Sequence, residues 1–138
     1  MALYQKTLEI NTSPKTFLDI TKNVQALVFE SGIDNGVCNL FIKHTSASLV
    51  IQENYDPSVR KDFETIFSKL APEDFPYVHN MEGKDDMPAH IRSALTSTSE
   101  TIPVVNGKLS LGTWQGIYVW EHRGQSHGRV IMVSMVGE

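Results

Sequence analysis

The chain has 138 residues, of which 41% are hydrophobic and 20% are charged. This composition is that of a globular protein, and the length fits one domain over residues 1–138. With 12 basic and 16 acidic residues the net charge is −4, which argues against a nucleic-acid binder held mainly by phosphate contacts. No apolar run reaches the roughly 20 residues that cross a bilayer, and no signal-peptide pattern opens the chain. The single cysteine, Cys38, has no disulfide partner and no adjacent base, so we expect a cytoplasmic protein without a thiol nucleophile.

The hydrophobic pattern predicts strands and helices in turn along the first half of the chain. Residues 4–10 alternate between polar and apolar side chains, as in a strand. A helix is expected over residues 13–32, with a serine N-cap, a proline in the first turn and a closing glycine. Residues 37–43 and 46–52 are rich in β-branched and apolar side chains and predict two strands or one bent strand. Asp56-Pro57 then begins a second helix, whose predicted core face is Val59, Phe63, Ile66, Phe67 and Leu70.

The second half begins with a polar loop over residues 71–86, and long loops in compact domains are often functional. A short helix is predicted over residues 88–96. Asn106-Gly107 between two apolar runs is typical of a β-hairpin. Residues 116–121 and 129–136 are predicted to form a last antiparallel pair. The order of elements indicates an α+β fold with a mostly antiparallel, curled sheet or sandwich, two longer helices and one short helix.

Histidines stand in three separate segments that could supply metal ligands. His44 ends an apolar strand, His79 lies in the long loop, and His90 lies on the first turns of the short helix. Three imidazoles from separate elements suit a zinc-like ion, which keeps one open position in catalytic sites. No HxxxH or HExxH spacing defines a ligand pair, so a structural or surface role for each histidine is the alternative. His122 and His127 lie in a polar turn, where solvent exposure is expected, although His122 could line the edge of a pocket.

Carboxylates occur close to these histidines in the sequence. Glu53 ends a strand, where a partly buried carboxylate can act as a general base; pairing with a nearby cation is the alternative. Asp56 directly precedes Pro57 and therefore suits the N-cap of the second helix. Asp85 and Asp86 precede the short helix, so that one of them can cap it, and adjacent acids can also bind Mg²⁺ together with substrate phosphates.

A third polar cluster indicates an anion-binding segment. Glycines let backbone N–H groups approach an anion such as phosphate, and an arginine can contact phosphate through two hydrogen bonds. Trp114 within this segment is expected in the core. Lys43 and Arg60 are weaker candidates for the cation. The proposed anion-binding residues are Gly112, Thr113, Gln115 and Arg123.

Four segments together resemble a known family. They are His44-Thr45-Ser46-Ala47-Ser48-Leu49, Glu53-Asn54-Tyr55-Asp56-Pro57, Asp86-Met87-Pro88-Ala89-His90-Ile91, and Gly112-Thr113-Trp114-Gln115-Gly116-Ile117 with Glu121-His122-Arg123. In this order the chain resembles the YjbQ-like secondary thiamine-phosphate synthase family from Tyr4 to Glu138. The resemblance implies a compact α+β fold, a homotrimer, and a metal site beside the motif histidines that can lie near a subunit interface.

The resemblance also implies roles for individual residues. It places metal ligands at His44, His79 and His90 and acid/base or polar roles at Glu53 and Asp56, and it does not require His122 as a ligand. The family's named activity joins a pyrimidine methyl diphosphate to a thiazole phosphate, and it is regarded as minor. Displacement of diphosphate is usually assisted by Mg²⁺ and cationic residues, whereas three histidines favour a zinc-like ion. A divalent, zinc-like cofactor is therefore expected.

Three hypotheses follow for function. The first is a homotrimeric, metal-dependent enzyme that acts on a phosphorylated small molecule, has weak thiamine-phosphate synthase activity, and binds neither nucleic acid nor membranes. The second is a metal-assisted hydrolase in which Glu53 activates the bound water. The third is a non-catalytic trimeric binding module whose histidines make structural hydrogen bonds.

Overall fold

The computed structural model describes all residues, 1–138, and contains eight strands and three helices. The strands are β1 (Ala2–Asn11), β2 (Phe17–Asp19), β3 (Gly36–Ile42), β4 (Ala47–Glu53), β5 (Ser99–Val105), β6 (Lys108–Leu109), β7 (Gln115–Glu121) and β8 (Gly128–Gly137). The helices are α1 (Thr21–Ser31), α2 (Pro57–Leu70) and α3 (Asp86–Leu95). None of these helices is long and apolar enough to span a bilayer. The predicted α+β class is confirmed.

Two antiparallel sheets organise the chain. The larger sheet has the strand order β1-β8-β3-β5-β6, and the smaller has the order β2-β7-β4. β8 pairs with β1 from Ala2↔Gly137 to Asn11↔Gly128 and with β3 along its other edge. One hydrophobic core combines side chains of both sheets and of α1, including Leu40, Val133, Leu49, Val119 and Val24.

β7 is the buried centre of the smaller sheet. Every residue of this strand after Gln115 is buried, as expected for a strand covered on both faces. Ile117 and Val119 belong to the core on one face. On the other face, Trp120 contacts Phe67 of α2 at 4.9 Å between ring centroids and lies 5.7 Å from the guanidinium of Arg92 of α3. The smaller sheet is thus a middle layer, with α2 and α3 on its outer side.

The predicted first helix begins later than expected. The prediction over residues 13–32 was wrong at its start, because Phe17–Asp19 forms β2 and pairs with β7, and the helix begins only at Thr21. The carboxylate of Asp19 accepts hydrogen bonds from the backbone N–H (2.9 Å) and hydroxyl (2.7 Å) of Thr21, which favours a helix start at this point. The end agrees with the prediction, since Gly32 has φ 71° and its N–H bonds to Phe29 O.

The predicted pairing of the last two strands is also wrong. β7 and β8 belong to different sheets, and residues 122–127 cross from one to the other. Both edges of β7 are occupied by β2 and β4, and both edges of β8 by β1 and β3, so neither strand has a free edge for the other. This crossing places His122 and Arg123 against α3, where Arg123 binds Asp86.

α2 packs less deeply than its pattern indicates. Phe63 and Phe67 face Phe17 and Trp120, whereas Ile66 and Leu70 are exposed and no residue of this helix is fully buried. The Asn106-Gly107 hairpin agrees with its prediction, because the two residues have φ 50° and φ 76°, as a two-residue turn of this kind requires.

Candidate metal centre

Three ligand atoms converge at the start of α3. Asp86 and His90 stand four residues apart and therefore share a face of this helix, while His79 comes from the preceding loop. The ligand atoms of all three residues lie within 4.8 Å of one another. Asp86 Oδ2 is 2.7 Å from His79 Nε2 and 3.2 Å from His90 Nε2. Asp86 is buried, whereas both imidazoles reach solvent.

The backbone determines which nitrogen of His90 carries the proton. His90 Nδ1 lies 2.9 Å from the carbonyl oxygen of Thr45. A carbonyl can only accept, so Nδ1 is the donor and, in the neutral ring, Nε2 presents a lone pair towards Asp86. Two acceptors at 3.2 Å require a proton or a metal ion between them. A metal-binding histidine that donates its other N–H to a carbonyl is a common arrangement in metal sites.

Arg123 holds the carboxylate of Asp86 in place. Arg123 Nη1 lies 2.9 Å from Asp86 Oδ1, which leaves Oδ2 for the histidines. The same guanidinium binds Asp85 at 3.0 Å and donates to Glu82 O at 2.9 Å. Partial burial raises the pKa of Asp85, but the hydrogen bonds from Gly124 N–H and Arg123 outweigh burial and hold this pKa below its ordinary value. Arg123 therefore binds the carboxylates of both Asp85 and Asp86 at the start of α3.

Two imidazole nitrogens and one carboxylate oxygen form a donor set that suits a zinc-like ion. Around a tetrahedral ion with bonds of about 2.1 Å, ligand atoms lie about 3.4 Å apart. The 3.2 Å between Asp86 and His90 is close to this value, whereas the 2.7 Å between Asp86 and His79 is a direct hydrogen bond that would lengthen around an ion. The set resembles the two-histidine, one-carboxylate sites of catalytic metals, which keep positions open for water or substrate.

His44 lies outside this group within the chain. Its Nε2 accepts a hydrogen bond from Val130 N–H at 2.8 Å, which occupies the lone pair that a metal would need. Burial lowers the pKa of His44, and the nearby Arg129 lowers it further, so the ring is neutral. His44 and His90 do line one shallow cavity of about 190 Å³. Asp86 takes the place in the cluster that the sequence suggested for His44.

A buried ion pair between Glu121 and Arg129 lies next to the segment that contains Thr45. Glu121 is fully buried, and Arg129 donates hydrogen bonds to both of its carboxylate oxygens. Thr12 donates its hydroxyl to Glu121 Oε1 at 2.6 Å, and Arg129 also donates to Ser46 O. Burial raises the pKa of Glu121, but these hydrogen bonds outweigh it and hold the pKa below its ordinary value. Strand parity could have revealed the pair, because Glu121 follows Ile117 and Val119 on the core face of β7.

The family assignment follows from the match of the whole chain. The model of the family described as "UPF0047 protein YjbQ-like" matches residues 6–138. The chain belongs to the UPF0047 family of YjbQ-like proteins. It is 53% identical to UPF0047 protein sll1880 of Synechocystis sp. over 136 residues, which cover 98% of this chain and 92% of that protein. It is 40% identical to UPF0047 protein YjbQ of Escherichia coli O157:H7, with 98% and 99% covered.

Solved YjbQ-like structures share the fold. A YjbQ/UPF0047 protein from Clostridium acetobutylicum superposes with a TM-score of 0.87 at 39% identity, with 95% of this chain and 99% of that chain covered. A YbjQ-like protein of unknown function from Sulfolobus solfataricus P2 superposes with a TM-score of 0.87 at 29% identity, with 99% and 100% covered. None of these names carries a thiamine-phosphate synthase activity, which remains a proposal.

The remaining predicted residues of this YjbQ-like chain lie at the opposite end of the smaller sheet. Glu53 pairs with Gln115, whereas Ala47 at the other end of β4 pairs with Glu121. A strand of 7 residues spans about 20 Å, so Glu53 is far from the cluster beside Thr45 in the same chain. The Glu53 carboxylate accepts a hydrogen bond from Asp56 N–H at 3.3 Å.

Asp56 makes the N-cap that its position suggested. Its Oδ1 accepts a hydrogen bond from Ser58 N–H at 2.9 Å, and this bond lowers the pKa of Asp56. Near it, Gln115 Oε1 accepts from Gly112 N–H at 2.7 Å, so this amide oxygen is already used. Thr113 is exposed. The segment from Gly112 to Gln115 therefore lies at the same end as Glu53 and Asp56.

Three side chains differ from their predicted environments. Trp114 is not a core residue: 57% of it is exposed, and its ring lies 5.2 Å from that of the exposed Tyr55. His122 is not exposed but buried, with 1% accessible, because the residue that follows β7 lies between α2 and α3. Arg123 is not free for a phosphate, because two carboxylates and a carbonyl already occupy its guanidinium.

Proposed function

We propose that this YjbQ-like protein is a metal-dependent enzyme whose ion is held by His79, Asp86 and His90. The observation that supports this most is the hydrogen bond from His90 Nδ1 to Thr45 O, which directs the Nε2 lone pair towards Asp86 Oδ2 and His79. A divalent zinc-like ion fits this donor set better than Mg²⁺, which prefers oxygen ligands. When bound, such an ion supplies Lewis acidity or a water of lowered pKa.

The protein's own residues prepare the centre. Thr45 O holds the ring of His90, and Arg123 holds Asp86 by the oxygen that faces away from the histidines. His79 is the most exposed of the three, so the open side of the centre faces solvent along the loop. A substrate therefore approaches over residues 73–84.

The substrate that we propose is a phosphorylated small molecule. Lys15 and Lys84 border a cavity beside Asp85 and offer the positive charge that a phosphate needs. Glu73 partly neutralises the two lysines, at 2.6 Å and 3.9 Å. Two partly compensated lysines suit a monophosphate better than a leaving diphosphate. Thiamine-phosphate synthase activity would accordingly be weak, and metal-assisted hydrolysis of a phosphate ester is the second candidate.

Metal content tests the centre. Purified wild type is expected to bind about one zinc-like ion per chain, and His79→Ala, Asp86→Asn and His90→Ala should each lose most of it, because each removes one of three ligands. His127→Ala, a histidine outside the cluster, is the matched control. His44→Ala should retain the ion if the ligand set is as proposed. Unchanged metal content in all three ligand variants would exclude this centre.

Substrate assays separate the reactions. Diphosphate release that requires both thiamine precursors supports the synthase, whereas phosphate release from single esters supports the hydrolase. A chelator should abolish either activity and lower the melting temperature. If chelation changes neither activity, ligand affinity nor melting temperature, the protein is the non-catalytic binding module instead.

A homotrimer would supply the metal centre with a proton-transfer group, which a single chain lacks there. Val78 and Met81 flank His79 and are 100% and 90% exposed, and the Tyr55–Trp114 pair is exposed at the Glu53 end. Exposed apolar groups at both ends of the smaller sheet favour head-to-tail contact between chains. In that assembly, Glu53 of a neighbouring chain is the proton-transfer group.

A further inference from the structure

A polar cavity lies on the outer side of the smaller sheet, apart from the three proposed ligands. It has a volume of about 220 Å³, which is large enough for a small organic group. Its lining combines α2, α3 and the end of β7: Ser68, Ala71, Pro88, Arg92 and His122, with Lys15, Glu73 and Asp85 at the rim. Glu73 also lines the groove that contains His79, so the cavity adjoins the approach to the metal centre.

His122 lines the cavity and carries a buried nitrogen without a partner. The side chain is 1% exposed, and its Nδ1 has no hydrogen-bond partner in the protein. Its Nε2 lies 2.8 Å from Ser48 Oγ, and Ser48 is not part of the cavity lining. The ring therefore presents Nδ1 as its free polar atom. Arg92, which is 4% exposed, lies in the same wall but is paired with Glu64.

A chain of hydroxyl groups determines whether this Nδ1 donates or accepts. Ser48 Oγ lies 2.6 Å from Thr96 Oγ1, which lies 2.8 Å from Arg92 O. If His122 Nε2–H donates to Ser48, Ser48 donates to Thr96 and Thr96 donates to the carbonyl, three hydrogen bonds form. In the reverse direction Thr96 donates to Ser48 and Ser48 to His122, and the carbonyl receives no hydroxyl, so only two form. The first direction is favoured, and it leaves Nδ1 as a bare lone pair.

Charge restricts the ligand further. Burial lowers the pKa of His122 to about 3, and Arg92 and Arg129 lower it in the same direction, so the ring stays neutral. Arg92 is paired with Glu64, and the rim combines Lys15 with Glu73 and Asp85, so the lining has no excess of either charge. The lone pair on Nδ1 repels an anion. A neutral group with a hydrogen to donate fits the balanced lining and the bare lone pair.

We propose that this cavity is a binding subsite for a neutral hydroxyl group, which donates to His122 Nδ1 and lies beside the approach to His79. The subsite recognises the uncharged end of a polar small molecule, such as an alcohol or a polyol. It does not depend on the metal, because none of its lining residues is a proposed ligand. An experiment can therefore refute the proposed subsite without refuting the proposed metal centre, and the reverse.

The test uses the full-length protein with ¹⁵N-labelled histidine and three small probes, namely ethylene glycol, acetate and methylammonium. The nitrogen chemical shifts of His122 distinguish a bare from a protonated Nδ1, and His122→Gln assigns them. We expect a bare Nδ1 in wild type and a saturable shift with ethylene glycol alone. A protonated Nδ1, a response to acetate or methylammonium instead, or no response to any probe would overturn the proposal.

Two variants test whether the hydroxyl chain and the cavity determine binding at His122. Thr96→Val removes the acceptor of Ser48 Oγ–H, so Ser48 should donate to His122 Nε2, move the ring proton to Nδ1 and create affinity for acetate. Ala71→Leu fills the cavity without touching the hydroxyl chain, and it should abolish the response to ethylene glycol while Nδ1 stays bare. An unchanged ring proton in Thr96→Val, or a full response in a folded Ala71→Leu, would contradict the subsite.

Discussion

At the scale of single residues, charge and hydrogen bonding distinguish histidines that look alike in the sequence. His90 donates to Thr45 O and turns its lone pair to Asp86, whereas His44 uses its lone pair on Val130 N–H. His122 is buried and neutral. Only the partner of each ring nitrogen separates a candidate ligand from a structural side chain.

The buried His122 should make stability depend on pH. Its pKa of about 3 in the folded state lies below the ordinary value of 6.5, so the unfolded chain binds more protons between these values. Stability is therefore complete above about pH 6.5 and is lost as the pH falls towards 3. Urea unfolding at a series of pH values should show wild type losing up to about 1.4 kcal/mol per pH unit more than His122→Gln. Parallel curves for the two proteins would contradict this assignment.

Arg123 should act on the metal through Asp86. Arg123→Met removes the guanidinium that holds Asp86 Oδ1, so the carboxylate can turn away from the histidines. We expect metal affinity to fall by about 10- to 100-fold, as for other residues that orient a ligand. Metal titration by calorimetry measures this, with Arg60→Met at the Glu53 end as the matched control. Equal affinities for the two variants would exclude a positioning role.

At the scale of elements, the crossing from β7 to β8 places the buried charges. β7 ends with Glu121 on its core face and Arg129 is the second residue of β8, so the two charges meet where the chain changes sheets. The pair also reaches Thr12 after β1 and Ser46 before β4. This contact joins four segments of the chain at one end of the two sheets.

Breaking the Glu121–Arg129 pair should destabilise the fold strongly. Glu121→Gln leaves Arg129 as a buried charge without its partner, and the expected cost is about 3–5 kcal/mol. Replacing both residues, as in Glu121→Gln/Arg129→Met, should cost less than the sum of the single changes. The exposed Lys6–Glu30 pair is the control, since Glu30→Gln should cost at most about 1 kcal/mol. Urea unfolding gives the four values, and additive single and double changes would show that the pair does not act as a unit.

At the scale of the whole molecule, polar and aromatic groups are divided between the two ends of the smaller sheet. The metal-binding candidates lie at the end where Ala47 pairs with Glu121, and Glu53, Trp114 and Gln115 lie at the other. About 20 Å of strand separates the two ends, so one chain cannot bring them to a single substrate. Both ends carry exposed apolar side chains.

Mixed assemblies test whether neighbouring chains join these ends. His90→Ala and Glu53→Gln should each inactivate the protein, and light scattering should report the proposed trimer for both. After the two are unfolded together and refolded at equal amounts, about a quarter of the interfaces combine an intact His90 with an intact Glu53 from the next chain. Activity near a quarter of wild type is expected, whereas no recovery, or a monomeric mass, would show that the ends act separately. Co-refolded wild type and His90→Ala provide the control for refolding yield.

Local physical chemistry, which the sequence carries by itself, determined several features of this protein. The Asn106-Gly107 turn, the Asp56 N-cap and the Gly32 helix end each depend on backbone angles or hydrogen bonds within a few residues. The order of the predicted elements indicated the α+β class, and the positions of the histidines in separate segments made His79 and His90 candidate ligands.

The tertiary structure alone decided which distant residues meet. Whether β7 pairs with β8 depends on the competition among all strands for hydrogen-bonding edges, and β1, β2, β3 and β4 occupy those edges. The resulting arrangement of strands also buries His122 and places Glu53 far from His79 and His90. It is Asp86, and not His44, that lies beside these two histidines. Such pairings depend on the free energy of the whole fold, which cannot be read from a local pattern in the sequence.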